Sequence, residues 1–148
     1  MIMGFIRALD ISGSGLTAQK MRMDVLAQYI VNIDTTRSDD GTSYRRKMVV
    51  FQERPDDSFG TYLRKAKAGA QQHGGVQVTE IVEDERALKA VYDPSHPDAN
   101  EDGYVMMPNV DKIKEMTDMM AATRAYEANI TVINAIKLMA NKALEIGR

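Results

Sequence analysis

Apolar side chains recur at helical spacing near both ends of the chain and run or alternate over short stretches between them. In residues 15–33 the apolar positions Leu16, Met23, Leu26, Ile30 and Ile33 are separated by seven, three, four and three residues, with Gln19 in the one polar slot. This is the a/d spacing of a coiled-coil seam, and it predicts a helix over 14–33, about 30 Å long. Ser12 or Ser14 is placed to cap it, with glycine breaking any helix upstream, and the turn-forming run DTTRSDDG ends it.

Residues 110–146 contain neither proline nor glycine. Met119, Ala122, Tyr126, Asn129, Ile133, Ile136, Ala140 and Ala143 follow alternating steps of three and four, and a second stripe of Ile113, Met116 and Met120 lies beside them. The predicted helix is about 55 Å long. Asn109 after Pro108 is the expected cap, Asp111 suits the first turn, and Gly147 the stop. Between the helices, YRRKMVVFQ and GVQVTEIV read as strands, ALKAVYD and YVMM as weaker ones, and KAKAGAQQHGG as a spacer. The expected fold is mainly α with a small β middle. Residues 1–36 and 109–148 pair as terminal coiled-coil helices around a β-rich central region at 37–108.

Each long helix carries a narrow apolar stripe that the polar middle is too small to cover. Burying one Leu, Ile or Met side chain is worth about 1.5–3 kcal/mol. The two ends must therefore pack on each other, on other subunits, or both. The chain is expected to be poorly ordered alone and to order on assembly. Asn129 within the seam is expected to fix register at some cost in stability.

Composition narrows the chemistry. Among 148 residues there is no cysteine, which removes disulfides, thiolate metal sites and cysteine nucleophiles. A net charge of −2 gives no field for nucleic acid or anionic lipid. No apolar run reaches the length of a membrane span, and residues 1–9 lack the apolar core and cleavage site of a secretory signal. The run Asp98-Ala-Asn100-Glu-Asp102-Gly103 matches the first half of a calcium loop. However, Asn109 stands where the bidentate Glu belongs, and Pro97 and Pro108 occupy the flanks. A solvated turn is the simpler reading. His73 and His96 lack convergent partners, Glu83-Asp84-Glu85 reads as a solvated strand edge, and SGSGLTAQK lacks phosphate-loop spacing. Arg45-Arg46-Lys47, with Arg37 upstream, reads as a solvated strand face or an inter-subunit salt bridge. No catalytic residue, cofactor or metal site is therefore expected.

Three blocks carry a resemblance to a known family. ALDISGSGLTAQKMRMDVLAQYIVNIDTTRSDDGTSYRRKMVVF holds a helix ending in AQYIVNIDT, GGVQVTEIVEDERALKAVYDPSHPDANEDGYVMMPNVD forms the middle, and EMTDMMAATRAYEANITVINAIKLMANKALEIGR closes the chain. In these blocks the chain resembles the flagellar axial proteins, and the proximal-rod branch above all, since YDPSHPDANEDGYV belongs to that branch. Gln28, Tyr29, Val31 and Asp34 depart from the family's usual Asn, Asn, Ala and Asn, and Ala87 and Lys112 stand where proline is common. The resemblance implies a non-enzymatic structural subunit of the basal-body rod. Such subunits are exported through the flagellar type III apparatus without a cleaved signal peptide. They assemble helically in the periplasm to transmit torque. The implied partners are copies of the chain, other rod proteins and the rod–membrane-ring junction protein. A different axial protein or a type III-secreted adaptor with coiled-coil ends is the alternative, and a small calcium-binding domain a distant third.

Overall fold

The computed structural model of the chain describes residues 2–38, 41–54 and 74–146. Helix α1 (Ile2–Val31) is followed by strands β1 (Lys47–Glu53), β2 (Val76–Glu83), β3 (Lys89–Tyr92) and β4 (Tyr104–Met107), then helix α2 (Lys112–Ile146). Among the described residues the chain is thus mainly helical, with a small β middle, and the four strands there fall where the apolar runs placed them.

The strands form two two-stranded sheets. At one end of the β1–β2 pair the Asp84 amide donates to the Arg46 carbonyl at 2.7 Å. At the other the Arg54 amide donates to the Gly75 carbonyl at 2.9 Å, so the two strands run antiparallel. β3 and β4 are antiparallel from Lys89↔Met107 to Tyr92↔Tyr104. The last pair stacks edge to face, with ring centroids 5.3 Å apart.

The connection from β3 to β4 contains the calcium-like run, and its oxygens serve the turn itself. Asn100 Oδ1 accepts from the amides of Asp102 at 3.1 Å and Tyr104 at 2.8 Å. Gly103 has φ +79°, and a Cβ there would sit 3.0 Å from the Tyr92 ring. Asp98 Oδ2 accepts from the Thr36 hydroxyl at 2.7 Å, and Asp98 lies 3.9 Å from Arg37. His96 Nδ1 accepts the Asp98 amide at 3.1 Å. His73 lies outside the described residues.

Both helix starts correct the sequence reading. α1 runs straight through Ser12, Gly13, Ser14 and Gly15 instead of starting at Ser14, so neither serine is an N-cap. Glycine inside a helix costs about 1 kcal/mol relative to alanine. At Gly15 that cost is offset by a close approach, since a Cβ there would stand 3.2 Å from the Asn129 side-chain amide. α1 also ends at Val31, leaving Ile33 in the following turn. α2 begins at Lys112, capped by Asp111, whose Oδ1 accepts the amides of Ile113 at 3.1 Å and Lys114 at 3.4 Å. Asn109, the expected cap, has other work, described below. Gly147 lies outside the described residues.

By packing, the chain divides into two units. One comprises Met1–Lys20, Phe51–Thr79 and Thr123–Arg148, and the other Met21–Val50 and Glu80–Ala122. The second closes a core of Val25, Leu26, Tyr29, Val110 and Ala122, with Met23, Ile33, Tyr44, Val49 and Met119 packed against it. In the first, Ala18 and Ile136 are buried.

Candidate functional site

The structure brings part of the predicted seam together within the second unit. Met23, Leu26 and Ile33 from the N-terminal side meet Met119 and Ala122 of α2 in one cluster. Ile30 is half-buried. In the first unit Leu16, Tyr126, Asn129, Ile133 and Ala140 are half-buried and Ile136 is buried, while Ala143 is exposed. The Asn129 amide faces Gly15 and donates to the Ala125 carbonyl at 3.0 Å. Gln19 Oε1 is buried without a hydrogen-bond partner among the described residues. The second stripe behaves differently: Ile113 is 79% exposed, Met116 49% and Met120 56%.

Ala18, Val25 and Tyr29 lie off the predicted seam, yet they are at least as well buried as Leu26, the best-buried seam position of α1. With Arg22 they form a second column one residue out of step with the first, so α1 buries a face wider than an a/d seam. Tyr29 stands out in the sequence as a departure from the axial-family pattern; it is 2% exposed, the largest fully buried side chain among the described residues.

Tyr29 belongs to a buried polar hub. Arg46, just ahead of β1, donates from Nε to Glu115 Oε1 at 2.7 Å. Its Nη1 lies 3.8 Å from Asp84 Oδ2, and its guanidinium sits 5.4 Å from the centre of the Tyr29 ring. Glu115, in the first turn of α2, is 1% exposed, and Asp84, at the end of β2, is 4% exposed. Arg86 clasps Asp84 from the other side, with Nε 2.9 and 2.8 Å from the two carboxylate oxygens. Asn109 locks the backbones together. Its Oδ1 accepts the Arg46 amide at 3.0 Å, and its Nδ2 donates to the carbonyls of Asp84 at 3.3 Å and Arg86 at 3.2 Å. Lys89 Nζ donates to the Val110 carbonyl at 3.0 Å.

These contacts correct two readings. Glu83-Asp84-Glu85 is not simply a solvated edge, because Asp84 is a buried, doubly paired carboxylate. Arg46 is neither a solvated residue nor reserved for a neighbouring subunit; its partners are Glu115 and Asp84 of its own chain. A one-dimensional charge pattern gives no sign of this, since Arg46 and Glu115 are 69 residues apart.

The electrostatics follow from the geometry. Hydrogen bonds from Arg86, side chain first and then amide, hold the Asp84 carboxyl at about 2. Burial pushes the Tyr29 phenol up to about 12, against the pull of Arg46. Burial also raises the Tyr44 phenol, with the Glu83 charge adding to it, and the Tyr44 hydroxyl is buried without a hydrogen-bond partner among the described residues. For Arg46, burial opposes the charged form, but the hydrogen bond and charge of Glu115 outweigh it and the pKa rises.

The hub is chemically committed: its carboxylates are held by arginines and its amide by backbone. Among the described residues no group of three His, Cys, Asp or Glu is placed to hold a metal ion. An open groove of about 480 Å³ lies beside the β3–β4 turn, lined by Arg37, Ser43, Leu88, Asp98 and Tyr104 among others. Its one cation pairs with its one carboxylate at 3.9 Å.

Comparison with known proteins places this architecture. The sequence model of the family described as "Flagellar basal body rod FlgEFG protein C-terminal" matches residues 101–146, which cover β4 and α2. The chain is 48% identical over 146 residues to the flagellar basal-body rod protein FlgC of Bacillus subtilis, covering 95% of this chain and 97% of that protein. It is 41% identical to FlgC of Escherichia coli O6:H1, over 99% of this chain and 100% of that protein. For FlgC of Aquifex aeolicus the identity is 37%, with 97% and 98% covered.

Proposed function

The chain belongs to the family of flagellar basal-body rod proteins FlgC and is a structural subunit of the flagellar rod, and from that premise we propose how it works. It assembles helically in the periplasm as part of the proximal rod, through contacts that join unlike faces of successive subunits. Its role is to transmit torque, not to catalyse. Its terminal helices, residues 1–36 and 109–148, pair as the inner layer of the rod, with residues 37–108 forming the β-rich region between them. Its partners are copies of itself, the other rod proteins, the junction protein to the membrane ring and the type III export apparatus. It reaches the rod through that apparatus without a cleaved signal peptide.

One observation carries the assembly reading. With its own core closed, α2 still exposes Ile113, Met116, Met120, Leu138, Met139 and Leu144. Covering each such side chain is worth up to about 1.5–3 kcal/mol. Exposed apolar side chains in this number mark surfaces that other proteins cover. Leu26→Asp and Ile133→Asp place a charge in the seam and are expected to abolish rod assembly while export continues. The double substitution Ile113→Asp with Met120→Asp alters only exposed positions, so the fold survives, as far-UV circular dichroism will show, while isolated basal bodies lack the rod. Normal rods and motile cells carrying these substitutions overturn the proposal.

A further inference from the structure

α1 passes through Ser12-Gly13-Ser14-Gly15 without a break, although each glycine weakens helix formation about fivefold relative to alanine. Gly15 has a packing reason, the Asn129 side chain 3.2 Å from where its Cβ would stand. Gly13 has none: a Cβ there would meet nothing within 4 Å. What glycine supplies at position 13 is backbone freedom. The helix is therefore weakest at a point where no side chain would find a neighbour.

The root of the β1–β2 pair spans that weak point. Ser14 Oγ donates to the Ile11 carbonyl at 2.7 Å and accepts the Val76 amide at 3.1 Å, so one hydroxyl links α1 to the start of β2. Gly75, at φ +100°, seats its backbone against the helix. A Cβ at Gly75 would collide with Ser14 Oγ and lie 3.6 Å from Ile11 Cα. On the other side of Gly13, Asp10 pairs with Arg54, whose amide donates to the Gly75 carbonyl at 2.9 Å. Asp10 precedes the weak point and Ser14 follows it, and both are tied to the same strand root, Asp10 through Arg54 and Ser14 through Val76.

We propose that residues 12–15 are a hinge in α1 that the root of the β1–β2 pair splints into helix. Residues 2–11 form an arm whose direction is set by the seating of Gly75 and Val76 on Ser14. A neighbouring subunit that shifts the strand root releases the arm, and one that presses the root home fixes it. The splint itself rests on intrachain geometry, and its control by a neighbouring subunit rests on the assembly proposed above.

Hydrogen exchange read by mass spectrometry on the full-length chain tests this. Alanine is a better helix former than serine, so by propensity alone Ser14→Ala slows exchange along α1. The splint predicts the opposite sign. Losing the bridging hydroxyl speeds exchange of the amides of residues 4–12 and of Val76 about threefold to tenfold, with residues 21–31 of the same helix unchanged. Gly13→Ala, which meets no neighbour, slows exchange in residues 4–12 about fivefold and leaves Val76 unchanged. The proposal is overturned if Ser14→Ala slows the arm or leaves it unaffected, if both halves of α1 respond equally, or if the arm of the parent chain exchanges without protection.

Discussion

Replacing Glu115 by alanine removes the carboxylate that meets Arg46 Nε at 2.7 Å and leaves a guanidinium that is only 15% exposed. Breaking a buried ion pair from one side costs about 3–5 kcal/mol, because the remaining charge stays desolvated. Arg46 keeps Asp84 at 3.8 Å and the Tyr29 ring at 5.4 Å, so the loss from Glu115→Ala falls at the low end, about 3 kcal/mol. Arg46→Met is expected to cost more, about 4–5 kcal/mol, because it strands the more deeply buried partner, Glu115, at 1% exposure. Combining Arg46→Met with Glu115→Ala removes both charges, and the double is expected to lose far less than the two singles summed. The coupling energy of the cycle is then several kcal/mol. Urea unfolding of the four proteins measures it, with midpoints shifting while the denaturant slope stays constant. The thermal midpoint of Glu115→Ala drops by roughly 6–12 °C. A Glu115→Ala protein within about 1 kcal/mol of the parent, or singles that simply add in the double, refutes the reading of this pair as a buried, coupled anchor.

The two candidate caps separate by magnitude. Asp111→Ala loses a helix cap and about 1 kcal/mol, whereas Asn109→Ala orphans three backbone groups and costs about 2–3 kcal/mol; equal losses in urea titrations contradict the assignment. The hub also has a pH signature. Tyr29 has its pKa raised from 10.0 to about 12, so its neutral form is favoured in the fold. The stability it contributes is full below pH 10 and fades as pH rises toward 12. Ultraviolet titration is expected to show a late-ionising phenol that Tyr29→Phe removes. Asp84 is shifted the other way, from 3.8 to about 2. Its contribution is present above pH 3.8 and lost as pH falls toward 2, a slope in acid unfolding that Asp84→Asn is expected to flatten.

The element types were legible because they rest on local periodicity. Steps of three and four marked both helices, and β-branched runs marked the strands, down to the four-residue strand at Tyr104–Met107. Leu26, Ala122 and Ile136 stand at this spacing and are buried. Local signals mislead where a tertiary contact outweighs them. Ser12-Gly13-Ser14-Gly15 reads as a helix start by propensity, yet packing on Asn129 and bridging to Val76 carry the helix through it. Asn109 reads as a cap, yet it is drawn to Arg46, Asp84 and Arg86, and Asp111 takes the cap. Proximity between residues tens of positions apart has no trace in the periodicity of either segment.

The sequence by itself determined the class of molecule: two long helices with apolar stripes around a β middle. Its blocks also carried the family resemblance. Only the tertiary structure decided which charges are buried. Arg46, Asp84 and Glu115 sit in runs that look like ordinary solvated surface, and they become an anchor because the fold brings the end of β2, the approach to β1 and the first turn of α2 to one point. Hydrophobic periodicity is a property of neighbours along the chain. The cost of burying a charge, and the partner that offsets it, exist only once distant segments exclude water together.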